Sequence, residues 1–286
     1  MQQPLPTGQE SRLPSPLGGP HRLFDGSFVI EFLQPAAELQ ATVLMRATYV
    51  GDHPSIELGK KHPQVPPMHV HFMQSESFIV EAGAIGTTTT YDLIDMIHTG
   101  TANYPQKTPR PGLSPPLPCR SGEGVTVIPP WTPHQFWPVP PSHPFWSTPE
   151  GKEHETSFPK GRQSDTSLLI WGHPRTHDNH PSGGLTSAFP PDLDAAWFVA
   201  LLSLVDAVHG QRLSMSPGLG AVLMALQTAS GASLILAPKA WWLGPLRWAI
   251  PWSAQVAFER ARRLFGGRSV VWLVEDTIER QVVRRR

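Results

Sequence analysis

The chain has 286 residues, enough for one full-sized domain with a large extension or for two domains. Its 23 Lys and Arg balance 23 Asp and Glu, so the net charge gives no reason to expect nucleic acid as a partner. A single cysteine, Cys119, excludes an intramolecular disulfide, and the first residues contain no apolar run of signal-peptide length. We therefore expect an intracellular protein, cytoplasmic or membrane-associated, that is not secreted through a signal peptide.

The first half of the chain has the pattern of a β protein. Residues 1–22 are rich in Gln, Pro, Ser and Gly, and we expect them to be disordered. Turn residues then separate short runs of β-branched and aromatic residues at 27–33, 41–50, 68–72, 77–81, 124–128 and 166–171. This pattern predicts a mainly β fold over residues 23–174, a small β-barrel or double-sheet jelly roll, with a Pro-rich insertion at 99–121.

The pattern becomes helical after a linker at residues 175–191. Residues 192–286 form an apolar extension with predicted helices over 195–209, 219–237 and 241–264. The second approaches the length that spans a bilayer, roughly 20 apolar residues, but Gln227, Thr228 and Ser230 favour a buried or interfacial helix. Pro245 and Pro251 are predicted to break the third.

The same extension is basic and rich in tryptophan. From Lys239 onward it carries ten Lys or Arg against four Asp or Glu, and five of the chain's ten tryptophans. One interpretation is a helical subdomain that packs on the barrel and exposes its arginines to water. The other is peripheral membrane association, because tryptophan with arginine at helix ends can mark a membrane surface.

A candidate metal site lies in residues 68–83. His69 and His71 flank Val70 in a strand-like run, so a period of two sends both imidazoles to one face of a sheet. Glu76 follows, and we expect 68–72 and 77–81 to form a hairpin. His134 comes later, after a Pro-rich turn. Neutral imidazoles and a carboxylate that converge on one point are a ligand set for a divalent metal.

The spacing His-X-His-X4-Glu-X6-Gly, formed by His69, His71, Glu76 and Gly83, resembles the first motif of the cupin superfamily. The resemblance covers residues 27–173 and implies a cupin-like jelly-roll barrel of the single-barrel type. It also implies a divalent metal at the barrel mouth, with His134 as the fourth ligand beside the two histidines and the glutamate.

The second cupin motif is matched only in part. Gly124, Pro129 and His134 occupy its positions, but Trp131 stands where the family has a turn glycine. Glycine at such a turn usually serves a positive φ, a backbone conformation that is strained for tryptophan. Pro130 and Pro133 are the candidates to hold the turn instead.

Three imidazoles and a carboxylate leave coordination positions open. Fe(II) is the favoured metal, with Mn(II), Ni(II) and Zn(II) as alternatives. The layout resembles single-barrel cupins found beside polyketide synthases in fungal natural-product clusters, often described as oxidoreductases. That resemblance implies an oxidoreductase that tailors an apolar small molecule. The alternatives are a non-redox isomerase, dehydratase or decarboxylase, and a non-catalytic ligand-binding accessory protein.

Cupins commonly pair through barrel edges, so the resemblance also implies a homodimer.

Other side chains have weaker predicted roles, and no catalytic residue can be assigned beyond the metal ligands. Glu81 is expected at the rim or in solvent. Surface histidines are usually inert, although one could move a proton; the histidines concerned are His62, His173, His177 and His180. An aromatic lining would suit an apolar substrate; the predicted lining residues are Phe72, Phe78, Phe136 and Trp137.

Overall fold

The structure, a computed structural model, describes residues 20–33, 39, 41–100, 124–156, 161–173, 195–214, 216–264 and 274. Four predicted segments lie largely or wholly outside the described residues: the disordered N-terminus, the Pro-rich insertion, the linker and the end of the helical extension. Cys119, His177 and His180 also lie outside them. The predicted segment boundaries therefore remain predictions.

Two antiparallel sheets contain all eleven strands of the described residues. The six-stranded sheet has the order β1-β2-β3-β10-β5-β8, and the five-stranded sheet has the order β11-β4-β9-β6-β7. The strands of the first sheet are β1 His21–Leu23, β2 Phe28–Leu33, β3 Val43–Tyr49, β10 Thr166–Gly172, β5 Glu76–Ala82 and β8 Thr126–Ile128. Those of the second are β11 Ala232–Leu234, β4 His69–His71, β9 His134–Pro138, β6 Ala84–Thr89 and β7 Ile94–Thr99.

One face of each sheet is apolar and turned toward the other sheet. The side chains of β2 alternate between buried and half-buried positions, as expected for a strand with one face in a core. The core between the sheets draws residues from both of them, including Phe28, Tyr49, Phe78, Ile85 and Phe136. The predicted mainly β fold of two packed antiparallel sheets is confirmed by this strand order and core.

The expected hairpin between residues 68–72 and 77–81 is wrong. β4 pairs with β9 and β11, whereas β5 pairs with β10 and β8 in the other sheet. The chain crosses from one sheet to the other between Phe72 and Ser75. A short connection between two strand-like runs has the same sequence pattern in a hairpin and in such a crossing, and only the partner strands distinguish them.

The helices of the described residues are α1 Pro149–Thr156, α2 Ala195–His209, α3 Pro217–Ala229 and α4 Leu246–Leu264. Short 3-10 turns occur at Phe24–Gly26, Pro54–Lys61, Pro144–Ser147, Gly161–Gln163 and Trp241–Leu243. The predicted apolar helical extension is thereby confirmed for its described residues. None of the helices in the described part of the chain combines the length and hydropathy needed to cross a membrane.

The extension departs from the prediction at two places. The helix expected over 219–237 ends at Ala229, and after Gly231, with a φ of 64°, the chain forms β11. Pro251 lies inside α4 instead of breaking it. Proline lacks the N–H that would bond the Arg247 carbonyl, and that carbonyl instead accepts a hydrogen bond from the Leu236 N–H at 2.8 Å.

The extension packs directly on the barrel through three elements. α2 inserts Val199 into the barrel core, and its other face packs on α3 through Leu204. β11 adds an edge strand beside β4. α4 places Trp248 and Trp252 on the outer face of β4. The extension is therefore continuous with the sheet that carries two of the predicted metal ligands.

His62 gives the fold a pH dependence. Its Nδ1 accepts from the Gln64 N–H, so its Nε2–H donates to Ser27 Oγ at 3.0 Å. Burial, with smaller contributions from His53 and His209, lowers the pKa of His62 to about 4. Protonation would add a second proton at Nδ1, where the Gln64 N–H already points.

We expect His62→Gln to flatten the pH dependence of stability. The pKa is lower in the folded than in the unfolded state, so stability is complete above pH 6.5 and is lost as the pH falls toward 4. Between pH 7 and pH 5, we expect the free energy of unfolding to fall by about 2 kcal/mol because of His62. Urea unfolding at both pH values measures this loss. An equal loss in wild type and variant would contradict the assignment.

Candidate metal centre

β4 presents its two histidines to the inside of the barrel. His69 and His71 flank Val70, which is fully buried on the opposite face of the strand. Val70 packs outward with Met68 and Phe72 beneath the C-terminal extension. The apolar residues fix the outer face of the strand, and the period of two then directs both imidazoles to the inner face.

The other two candidate ligands come from different strands. His134 opens β9 and is the direct antiparallel partner of His69. Glu76 opens β5 in the opposite sheet, where it lies between Ile128 and Gly172 of the neighbouring strands. All four predicted residues therefore meet, three from one sheet and one from the other.

Their ligand atoms are close enough to surround one ion. Glu76 Oε2 lies 3.7 Å from His71 Nε2 and 3.5 Å from His134 Nε2. One ligand atom from each of the four residues lies within 4.8 Å of the others. Two ligands on opposite sides of a transition metal are about 4.2 Å apart, twice a typical bond of about 2.1 Å. Small side-chain rotations would complete the coordination.

Backbone carbonyls orient two of the imidazoles. His69 Nδ1 donates to the Pro67 carbonyl at 3.0 Å, and His134 Nδ1 donates to the Thr132 carbonyl at 2.9 Å. Each bond places the proton on Nδ1 and leaves Nε2 as a lone-pair donor directed into the cluster, as in metal sites. Among the described residues, the buried Nε2 of His134 has no hydrogen-bond partner. A metal ion would satisfy it.

The charge state of His69 also suits a metal. Burial, together with the nearby imidazole of His134, lowers the pKa of His69 to about 3, against the opposing effect of its bond to the Pro67 carbonyl. The imidazole is therefore neutral at pH 7. Metal binding requires this neutral form, because a protonated imidazole has no lone pair to donate.

Trp131 adopts the backbone conformation that the family glycine would have. Its φ is +67°, in the left-handed region. Its N–H donates to the His71 carbonyl at 2.8 Å and ties the turn before β9 to β4. Its ring packs 4.7 Å from Phe72 and 5.2 Å from Trp248, measured between centroids. The turn thus keeps its expected geometry, and aromatic packing holds the strained residue in place.

The C-terminal extension supports the site from outside, through contacts that the sequence analysis did not predict. Ala232 and Leu234 of β11 lie opposite His71 and His69 in the antiparallel register. The Ile235 N–H then donates to the Met68 carbonyl at 2.9 Å. The tryptophan-rich composition of the extension was visible in sequence, but nothing in it identified β4 as its partner.

The remaining predicted residues divide between the two faces of the sheets. Phe78 and Phe136 lie inside the barrel, with ring centroids 5.0 Å apart. Phe72 and Trp137 are not part of this core: Phe72 packs under α4, and Trp137 packs with Phe145 and Trp146. Trp137 alternates with Phe136 in β9, and Phe72 directly follows His71 at the end of β4, so both point away from the barrel interior.

Glu81, His62 and His173 lie outside the metal cluster. Glu81, expected at the rim or in solvent, is instead only 10% exposed, because it is paired with Arg46 at 2.8 Å. His62 is buried beside Ser27, and His173 lies 2.8 Å from Ser77 Oγ through its Nε2. Each of these histidines has a structural hydrogen bond.

Fold and site together define a double-sheet β protein with a candidate metal centre of three histidines and one glutamate. No family model and no curated protein matches the chain. Solved structures that match it include hydroxypropylphosphonic acid epoxidase from S. wedmorenis, with 10% identity, a TM-score of 0.27 and coverage of 51% of this chain and 50% of the epoxidase. This chain therefore spans about half the length of that enzyme.

Two further matches are named as cupins. The cupin domain of Schizosaccharomyces pombe Cnp3 is 8% identical, with a TM-score of 0.27 and coverage of 51% of this chain and 64% of that one. A sugar phosphate isomerase from a cupin superfamily of Silicibacter pomeroyi is 14% identical, with a TM-score of 0.26 and coverage of 51% and 59%. At these TM-scores the likeness carries no argument, and the fold assignment rests on the strand order and register described above.

Trp131 should respond differently to glycine and to alanine. Trp131→Ala removes the packing on Phe72 and Trp248 but keeps the positive φ, whereas Trp131→Gly removes the packing and relieves the strain. We expect the glycine variant to be more stable than the alanine variant by about 1 kcal/mol. Urea unfolding of the two variants measures the difference. An alanine variant as stable as the glycine variant would contradict the strained turn.

Proposed function

We propose that the chain is a metal-dependent oxidoreductase that tailors an apolar small molecule. The observation that carries the proposal is the convergence of His69, His71, Glu76 and His134 inside the barrel mouth, with ligand atoms within 4.8 Å. Three of the four residues are half-buried, and the buried Nε2 of His134 has no hydrogen bond. Burial of such a polar atom without a partner is costly. A metal ion held by this donor set would remove that cost.

The donor set favours Fe(II). Imidazole and carboxylate ligands without thiolate suit iron or manganese at least as well as zinc. Fe(II) bound there would supply one-electron chemistry with O2, and Zn(II) would supply only Lewis acidity. The residues present fit either ion.

The protein residues have separable roles at such a centre. The Pro67 and Thr132 carbonyls hold His69 and His134 in the orientation that a ligand needs. Side-chain exposure rises from 1% at His134 to 12% at His71 and 20% at Glu76. His134 therefore forms the closed floor of the site, and a substrate would approach from the side of Glu76.

The surroundings of the floor favour an apolar substrate. Phe136 lies 6.0 Å from His134 between ring centroids, and Phe78 packs against Phe136 at 5.0 Å. Aromatic walls with a few polar groups are typical of sites for small organic molecules. We propose a polyketide-type secondary metabolite as the substrate class, in keeping with the resemblance in overall layout.

The metal ligands can be tested directly. His71→Ala, His134→Ala and the isosteric Glu76→Gln each remove one donor, and we expect affinity for Fe(II) to fall at least about tenfold in each. Metal analysis of purified protein and calorimetric titration measure the loss. His143→Ala, which lies outside the cluster, is the matched control. Unchanged metal binding in the three variants, with wild-type unfolding curves, would contradict the metal centre.

The redox class has its own test. Apo protein reconstituted with Fe(II) or Zn(II) is assayed with and without O2 on apolar polyketide-type substrates, followed by mass spectrometry. We expect turnover only with Fe(II) and O2. Turnover that survives with Zn(II) and without O2 would replace the oxidoreductase with a non-redox isomerase, dehydratase or decarboxylase, and metal binding without any turnover would favour a ligand-binding accessory protein.

A further inference from the structure

The C-terminal extension carries a concentration of exposed apolar side chains. Six of the eleven exposed large apolar residues in the described part of the chain lie between residues 236 and 264. Four of them form what we call the C-terminal apolar patch: Trp241 at 80% exposure, Trp242 at 71%, Leu246 at 51% and Ile250 at 52%. Two adjacent tryptophans with most of their surface in water are unusual in a folded domain, because each leaves a large apolar area unburied.

The patch continues along one face of α4. Leu246 and Ile250 are four residues apart and so lie on the same side of the helix. Exposed alanines extend that side toward the end of α4, namely Ala254, Ala257 and Ala261. The opposite side, with Arg247, Gln255 and Glu259, is buried against the rest of the protein. α4 therefore has two apolar sides. One packs against the barrel through Trp248 and Trp252, and the other is exposed.

The charge around the patch is positive. Residues 232–264 contain five basic residues and one acidic residue, whereas the whole chain has no net charge. The acidic residue, Glu259, is buried and bonded to Arg262 at 2.6 Å. Lys239 precedes the two tryptophans, and Arg260 lies on the exposed part of α4. The surface therefore presents the positive charges of Lys239 and Arg260, and residues 232–264 place no exposed carboxylate beside them.

We propose that the C-terminal apolar patch is a peripheral docking surface for an anionic lipid bilayer. Tryptophan rings and aliphatic side chains would enter the interface between headgroups and acyl chains, while Lys239 and Arg260 would meet lipid phosphates or carboxylates. A second copy of the chain fits this surface less well, because its own patch carries the same positive charge.

The helix of the docking surface packs on the strand that carries two of the candidate metal ligands. The helix that carries Leu246 and Ile250 also packs Trp248 against Phe72, with 5.4 Å between ring centroids, on the outer face of the strand of His71. A bilayer at this surface would hold apolar molecules close to the barrel. The docking itself does not depend on a bound metal or on any reaction.

The experiment is flotation of the full chain with vesicles of phosphatidylcholine alone and of phosphatidylcholine mixed with phosphatidylserine. We expect binding to the anionic vesicles only, and weaker binding as salt rises. Trp241→Ser with Trp242→Ser should reduce binding about tenfold or more, and Lys239→Glu with Arg260→Glu should abolish the preference for phosphatidylserine. Unfolding curves and metal content establish that each variant is folded.

Ile94→Ser with Met96→Ser is the matched control, because these residues of β7 are each 50% exposed. It should float like the wild type. Three results would overturn the proposal: no flotation with anionic vesicles, an equal loss in the control, or a concentration-dependent dimer in ultracentrifugation that the tryptophan variant abolishes. The last result would assign the patch to a second copy, and none of the three bears on the metal centre.

Discussion

The crossing of the chain between the two sheets at residues 72–75 is the constraint on which the site depends. β4 ends in the five-stranded sheet and β5 begins in the six-stranded one. Glu76, the first residue of β5, therefore faces His71 and His134 across the barrel interior instead of lying beside them on one strand pair. A hairpin at this point would leave the carboxylate in the same sheet as the imidazoles, and the ligands could not enclose an ion from both sides.

The C-terminal extension covers the free edge and the outer face of β4. β11 hydrogen-bonds along β4, and the edge that would otherwise expose unpaired backbone groups beside His69 and His71 is covered. α4 buries Val70 and Phe72 on the outer face of the sheet. The Arg247 carbonyl released by Pro251 is bonded by Leu236, so the proline is accommodated where the helix meets the segment after β11. Residues distant in sequence thus hold the strand that carries two candidate ligands.

At Trp131, aromatic packing of the side chain offsets the strain of the backbone. A non-glycine residue at positive φ is unfavourable by about 1–2 kcal/mol, and the turn before His134 needs this conformation to direct the Trp131 N–H to His71. Contacts with Phe72 and Trp248 offset the strain. Sequence comparison alone marked this position as a defect in the motif. The structure instead assigns it a contact between the barrel and the extension.

The sequence by itself determined the local features: the strand that directs His69 and His71 to one face, the spacing to Glu76 and His134, the mainly β fold and the helical character of the extension. These follow from side-chain periodicity, which depends only on neighbouring residues. Only the tertiary structure decided that β4 and β5 belong to different sheets, that residues 232–234 form a strand on β4, and that Phe72 and Trp137 lie outside the barrel core. Pairing of distant strands depends on the packing of the whole chain, and three residues of β11 carry too little pattern to specify their partner.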